Sequence, residues 1–353
     1  MKQKDKKVSE KVTLLLFPVL FFIGLFTYKD YGISIDEEFQ RSSGFYWLNY
    51  ILGYTSFEEL KNLVGIKLNQ IEGFTLPSPA DNPYYGVVFD LPAALLEVIL
   101  KIDDPKNYFQ FRHLLNFILF FIGSIFFFKL LLNRFSNYNI SLIGTLFFVL
   151  SPRIYGGSFF NNKDVVFLSL ITITLYYCFK SLEKLSYKNL SIFAIFAALC
   201  TAQRVLGIFL PAFFIAIYLL SILSNNKNLK SLPNIIFFIF FYILFLILFW
   251  PALWSNPIEK FFLAFQFFSH HYLQIQLLFD GNYVYSKLLP YDYIFTWILI
   301  STPILYLILF VIGYILIFKR FFIRFINIKD NEHYYDLWRG NNEKKDFFML
   351  FNV

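Results

Sequence analysis

Apolar residues in this chain fall in long unbroken runs rather than in the alternating or helical stripes of a soluble fold. The runs are Val12–Tyr28, Phe111–Leu132, Ile140–Ser151, Val165–Phe179, Leu190–Ala202, Val205–Leu223, Ile235–Trp250 and Tyr293–Phe318. A helix that crosses a bilayer needs about 20 such residues, at about 1.5 Å each. Several runs reach that length only by borrowing flanking residues. The stretch 190–223 is too long for one helix, and Gln203-Arg204 divides it into a tight pair. A further span can begin at Phe347. The pattern predicts an all-α polytopic transmembrane helix bundle of about 8 to 9 spans.

Composition agrees with the pattern. Of 353 residues 58% are hydrophobic and only 16% charged. A soluble globule would have too little polar surface to cover itself, and an aromatic content of 22% excludes disorder. Cys178 and Cys200 lie inside apolar runs and form no CxxC pattern, so neither a disulfide framework nor a metal site is expected from them. The net charge of +7 does not indicate nucleic-acid binding. Lys2, Lys4, Lys6, Lys7 and Lys11 cluster ahead of the first run, as in a cytoplasmic anchor. That run ends in bulky Phe26, Thr27 and Tyr28 rather than a small-residue cleavage site, so it reads as a retained signal anchor.

The segment 84–100 is apolar but carries Asp90, Pro92 and Glu97. Charge placement decides whether it crosses. If it does not, the cytoplasmic pieces are the N-terminus, 129–139, 180–189, 224–234 and 319–346. Together they hold 19 Lys and Arg against 8 acids, and the outer pieces hold 12 against 16. If it crossed, every later loop would flip and four basic loops would face outward, against the positive-inside rule. The segment is therefore expected to lie as a re-entrant or interfacial helix on the outer face. Three outer segments result: the first loop, about 29–110, then 152–164 and 251–292.

Candidate chemistry gathers in those segments. Asp36-Glu37-Glu38 follows the first span. Crowded carboxylates favour proton uptake by one of them, which suits a general base. The plainer reading is a solvated acidic turn. The second constellation is Ser151-Pro152-Arg153 through Asn161-Asn162-Lys163-Asp164, with more hydrogen-bonding capacity than a turn requires. Pro152 is expected to end one helix and Asp164 to cap the next. Arg153 and Lys163 equally suit snorkelling to headgroups.

Arg112-His113 and Arg204 are cations at the outer ends of spans, where ionisable groups mark functional sites. Phosphate is the natural partner of Arg. Trp250 and Trp254, in Trp250-Pro251-Ala252-Leu253-Trp254, suit either an aromatic belt or a substrate cavity. His270 and His271 are adjacent, which is not metal-ligand spacing; phosphate binding fits them better. No Walker loop, GxGxxG or GxSxG motif occurs.

The order of these features resembles the GT-C superfamily of membrane glycosyltransferases that use polyprenyl-phosphate sugars. Its protein O-mannosyltransferase and aminoarabinose transferase branch, including bacterial family-39-like proteins, is the nearest likeness. The residues that carry it are Asp36-Glu37, SPRIYGGSFFNNKD at 151–164, Gln203-Arg204 and WPALWSNP at 250–257, and it covers about residues 10–318. The resemblance implies a transmembrane catalytic domain over 1–318 whose first outer loop folds into membrane-lying helices. Residues 319–353 follow as a basic cytoplasmic segment and the start of a further span. Family members usually have more spans and often a C-terminal domain.

The resemblance also implies the chemistry. The donor is a sugar on a polyprenyl phosphate, and the acceptor is a lipid, a glycan or a protein. Asp36 is the catalytic carboxylate, with Glu37 beside it and Asp164 assisting. Arg204, Arg153, Lys163, Arg112, His270 and His271 form the pool that binds the donor phosphate, and Asn161, Asn162, Trp250 and Trp254 line the cavity. No cofactor or metal is required, and help from a divalent cation stays open. The expected location is the bacterial inner membrane, among membrane lipids, with the site facing the periplasm and no nucleic-acid partner. A membrane transporter and a non-catalytic lipid-binding protein are the competing readings. A transporter usually shows paired halves with broken helices, and neither is evident here.

Overall fold

The computed structural model describes residues 3–71, 82–224, 231–269, 274–326, 345 and 348. The chain divides into two compact units, Met1–Lys260 and Phe261–Val353.

The first unit is a helical bundle. It opens with α1 (Gln3–Thr27), followed by three helices in the first loop: α2 (Glu37–Leu52), α3 (Glu58–Ile71) and α4 (Asp90–Ile99). Next come α5 (Pro105–Phe135), α6 (Tyr138–Val149), α7 (Pro152–Phe160), α8 (Asp164–Glu183) and α9 (Tyr187–Gln203). A 3-10 turn, Val205–Ile208, leads to α10 (Phe209–Ser224), and α11 (Leu232–Phe249) completes the bundle. The helix α12 (Pro257–Ser269) runs across the boundary between the units.

Local chemistry sets the helix ends. The Asp104 carboxylate accepts the Asn107 N–H at 3.1 Å, and Pro105 stands at the first helical position of α5. Ser136, left-handed at φ 52°, ends α5, and the side chain of Asn137 at once caps α6.

The helices alternate in direction. Phe17 meets Phe128, and Gly24 touches the Phe117 ring, so α1 runs antiparallel to α5. Gly123 abuts Ser169 and Asn133 donates to Glu183, so α8 runs parallel to α5. Tyr177 stacks on Phe196 across antiparallel α8 and α9. Phe193 stacks on Phe238 and Thr201 bonds Tyr242, so α9 and α11 run parallel. Ala194, Ala197 and Ala198 are buried on α9, and their small size lets the backbones close. One end of the bundle therefore collects the C-terminus of α1, the N-termini of α5 and α8, and the C-termini of α9 and α11. The N-terminal lysines, 129–139 and 180–189 belong to the other end, the grouping expected from charge placement.

Elsewhere the bundle is apolar outward. On α11, Ile236, Phe240, Ile243, Leu244 and Leu248 are exposed. A helix hydrophobic on its exposed face suits lipid rather than water. The protein is an all-α integral membrane helix bundle.

Three expectations change. Among the described residues three helices are long and apolar enough to cross a membrane, α5, α8 and α11, or up to five if each bent pair counts as one span. The expected 8 to 9 spans are not all met, because α9 has 17 residues and α10 has 16. The run Tyr293–Phe318 forms two helices bent by 116°, with the break at Pro303, rather than one straight helix. The segment 152–164 is mostly helix rather than loop. Pro152 starts α7 instead of only ending α6, because the first turn needs no N–H from it. The pair α6–α7 is bent by 61°, as in a broken span or a re-entrant loop, and the connection to α8 shortens to 161–163. The segment 84–100 does hold a helix, α4. Its ten residues rise about 15 Å, half a bilayer core.

The second unit holds a hairpin of β1 (Gln276–Phe279) and β2 (Asn282–Tyr285), then α13 (Tyr293–Ser301) and α14 (Ile304–Ile326). Gln276 pairs with Tyr285 and Phe279 with Asn282. The turn Asp280-Gly281 has both residues at positive φ, as a two-residue hairpin requires.

Candidate active site

The site grows from a buried ion network under the first loop. On α4 Asp90 and Glu97 are seven residues apart, which sets both carboxylates on one face. Arg112 on α5 bridges them, with Nη1 at 2.9 Å from Asp90 and Nε at 3.4 Å from Glu97. Arg41 on α2 also donates to Glu97, with Nε at 3.0 Å, while its guanidinium lies 3.7 Å from the Tyr108 ring centre. Asp90, Glu97 and Arg112 are 2% exposed or less. A Cβ on Gly44 would overlap the Asp90 carbonyl, so glycine there permits α2 and α4 to touch.

This network reaches the charged turn between α7 and α8. Asn162 donates to Asp90 Oδ1 at 2.9 Å. Asn161 accepts the Asp164 N–H at 2.8 Å and so closes the turn; Asp164, expected to cap α8, is instead its first residue, with Lys163 at the cap position. The Asp164 carboxylate, 62% exposed, instead pairs with Arg204. Lys163, between them, lies with its ammonium 4.0 Å from the Tyr85 ring centre. Burial pulls Lys163 down to about 8, and the charge of Arg204 adds to the effect. Asp36, Asp164 and Asp90 all oppose it, so Lys163 lies within electrostatic reach of carboxylates from three separate segments.

The neighbours Asp36 and Glu37 part company. Glu37 is buried; Oε2 lies 2.9 Å from Nε2 of His113, and Oε1 accepts the Ser34 N–H at 2.7 Å. Asp36 heads α2 with its side chain exposed and uncommitted to the cap. The three crowded carboxylates are thus relieved by turning one inward.

Arg204 leaves the end of α9 in extended conformation, and its Nε is buried with no partner, as are both polar atoms of the Gln203 side chain. A Cβ on Gly86 would overlap the carbonyls of Ala202 and Gln203, which brings the first loop against this end of α9. Trp250 is buried at the end of α11, and Trp254 donates to the Ile247 carbonyl at 2.8 Å while facing Tyr50 and Tyr54.

The structure thus gathers Asn162, Lys163, Asp164 and Arg204, with Asp36 within electrostatic reach of Lys163. Arg112 is committed to Asp90 and Glu97. Arg153 is exposed at the start of α7, nine residues or about 13 Å before Asn162. His270 and His271 lie outside the described residues. Among the described residues, no three His, Cys, Asp or Glu side chains gather as a metal-ligand set. The sequence pattern did not single out Arg41, and it used Asp90 and Glu97 only to place the segment 84–100. The seven-residue spacing of two carboxylates in an apolar segment was the available signal.

The sequence profile of the family described as dolichyl-phosphate-mannose-protein mannosyltransferase matches residues 91–254. The matched stretch covers a little under half of the chain, and it supports a likeness to the GT-C membrane glycosyltransferases. It spans Asp164, Arg204 and Trp250, and it begins beyond Asp36. No curated protein and no solved structure matches the chain.

Proposed function

We propose that the protein transfers a sugar from a polyprenyl-phosphate donor to an acceptor, with inversion at the anomeric carbon. The observation that carries this reading is Lys163 among Asp36, Asp164 and Arg204 at one end of the bundle. The donor's tail lies in the bilayer and its sugar enters that cluster. Asp36, exposed and free of the helix cap, takes the acceptor proton as the acceptor oxygen attacks the anomeric carbon. The bond from that carbon to the phosphate oxygen breaks, and the phosphate leaves with the electron pair. Lys163 and Arg204 receive the leaving charge as preorganised cations. A phosphate is a good leaving group, so no protein acid is needed. The transition state is oxocarbenium-like. Asp164 holds Arg204 in place, and Asn161 and Asn162 shape the cavity around the sugar. Attack opposite the phosphate inverts the centre.

The charge grouping of the loops supports a bacterial inner-membrane protein whose cluster faces the periplasm. The acceptor is then a periplasmic lipid, glycan or protein. The test is transfer of labelled sugar from polyprenyl-phosphate donors by the purified protein in nanodiscs. Transfer that needs Asp36 supports the reading. Failure both to bind and to turn over every polyprenyl-phosphate sugar sinks it.

A further inference from the structure

Two cavities of the first unit, formed by described residues, differ in character. One, about 600 Å³, is lined by Tyr187, Leu232, Pro233, Ile236, Phe237 and Phe240 and suits an acyl chain. It lies at the starts of α9 and α11, away from the charged cluster. The other, about 160 Å³, lies beside the end of α11. Its walls include Tyr46, Trp47 and Tyr50 of α2, Tyr84, Ser255 and Lys260. The rings of Tyr46 and Trp47, and of Trp47 and Tyr50, meet edge to face at 5.3 Å. Trp47 is 6% exposed, and its indole N–H, buried, has no partner in the protein.

From these walls we infer that the smaller cleft binds one sugar ring of a glycan acceptor, an inference that rests on the glycosyltransferase reading above. A pyranose offers an apolar C–H face and a rim of hydroxyls. Aromatic walls with a seryl hydroxyl and an ammonium at the rim meet both needs. Among the described residues no carboxylate lines the cleft, which disfavours a cation as its occupant. An acyl chain finds its better match in the larger cavity. The position fits a ring remote from the reaction. Trp47 stands eleven residues along α2 from Asp36, about 16 Å of helix rise. A glycan held in the cleft reaches the cluster with another of its rings, and this remote contact supplies binding energy and orientation.

The experiment reads glycan binding apart from turnover. The full chain in detergent is applied to an array of neutral, amino and acidic mono- to tetrasaccharides, with vesicles of phosphatidylglycerol as the competing probe. Wild type and Asp36→Asn bind the same oligosaccharides. Ser255→Trp fills the cleft from an exposed position and abolishes that binding. With a bound oligosaccharide as acceptor, Ser255→Trp raises the acceptor KM and leaves the donor KM unchanged. Absence of binding to any glycan, or binding indifferent to Ser255→Trp, overturns the inference. So does saturable phosphatidylglycerol binding that Lys260→Gln removes and glycans do not displace. Glycan binding without sugar transfer defeats the proposed function and spares the cleft. Transfer with an unchanged acceptor KM in Ser255→Trp does the reverse.

Discussion

Asn162 donates its side-chain amide to the carboxylate of Asp90 at 2.9 Å, across 72 residues of sequence. Through this bond the first-loop helix α4 holds the turn that presents Lys163 and Asp164. The same carboxylate accepts from Arg112, so the turn is anchored to α5 as well. A buried ionic network is weak evidence for stability, but breaking one is costly.

Removing Asp90 leaves Arg112 and Asn162 uncompensated in a buried site. Asp90→Ala is expected to cost about 3–5 kcal/mol, the usual penalty for orphaning a buried charge. Tryptophan-fluorescence melting in detergent reads it. A melting temperature equal to wild type would show that the network is not needed for the fold.

Burial pushes the Asp90 carboxyl up to about 7, against the pull of Arg112 and Asn162. An unfolded Asp titrates near ~3.9. Between these values the folded protein holds a proton that the unfolded chain releases, so the Asp90 contribution declines as pH rises from about 4 to 7. Asp90→Asn removes that decline. The check is the difference in melting temperature between wild type and Asp90→Asn from pH 4 to 8. A constant difference would refute the assignment.

The exposed carboxylate of Asp36 is the proposed base, so Asp36→Asn should lose about 10²–10⁴ in turnover. Donor affinity should survive, because the phosphate meets Lys163 and Arg204 instead. Turnover and donor Kd measured together decide it. Near-normal turnover in this variant would move the role to Asp164.

Lys163, lowered to about 8 by burial and by Arg204, is charged below that pH and neutral above it. Donor-phosphate affinity is therefore expected to fall as pH rises past about 8, by up to about tenfold per unit. Lys163→Arg should flatten the profile, since arginine keeps its charge. Titrations of a polyprenyl-phosphate donor from pH 7 to 10 test this. A flat wild-type profile would remove Lys163 from the phosphate site.

Arg204 pairs with Asp164 and keeps a buried Nε without a partner. Arg204→Ala should weaken donor binding and lower turnover together, the signature of a contact made to donor and transition state. A loss confined to the acceptor KM would place Arg204 on the acceptor side.

The sequence by itself determined the class of this protein. Long apolar runs leave no soluble solution, and the count of lysines and arginines per loop sorted the helix ends into the two groups that the bundle forms. It also marked Asp36, Lys163, Asp164 and Arg204, because charge beside an apolar run is conspicuous. Spacing of this kind is local, and local chemistry survives folding. Tertiary structure alone decided which charges are sealed and which are open. Nothing in Asp36-Glu37 tells that Glu37 turns inward to His113 while Asp36 stays exposed. Arg112 looks like a phosphate ligand until Asp90 and Glu97 close on it. Those outcomes depend on which helices touch, and the small residues Gly44 and Gly86 let them touch. Desolvation is set by neighbours brought from elsewhere in the chain, so only the packed bundle could assign it.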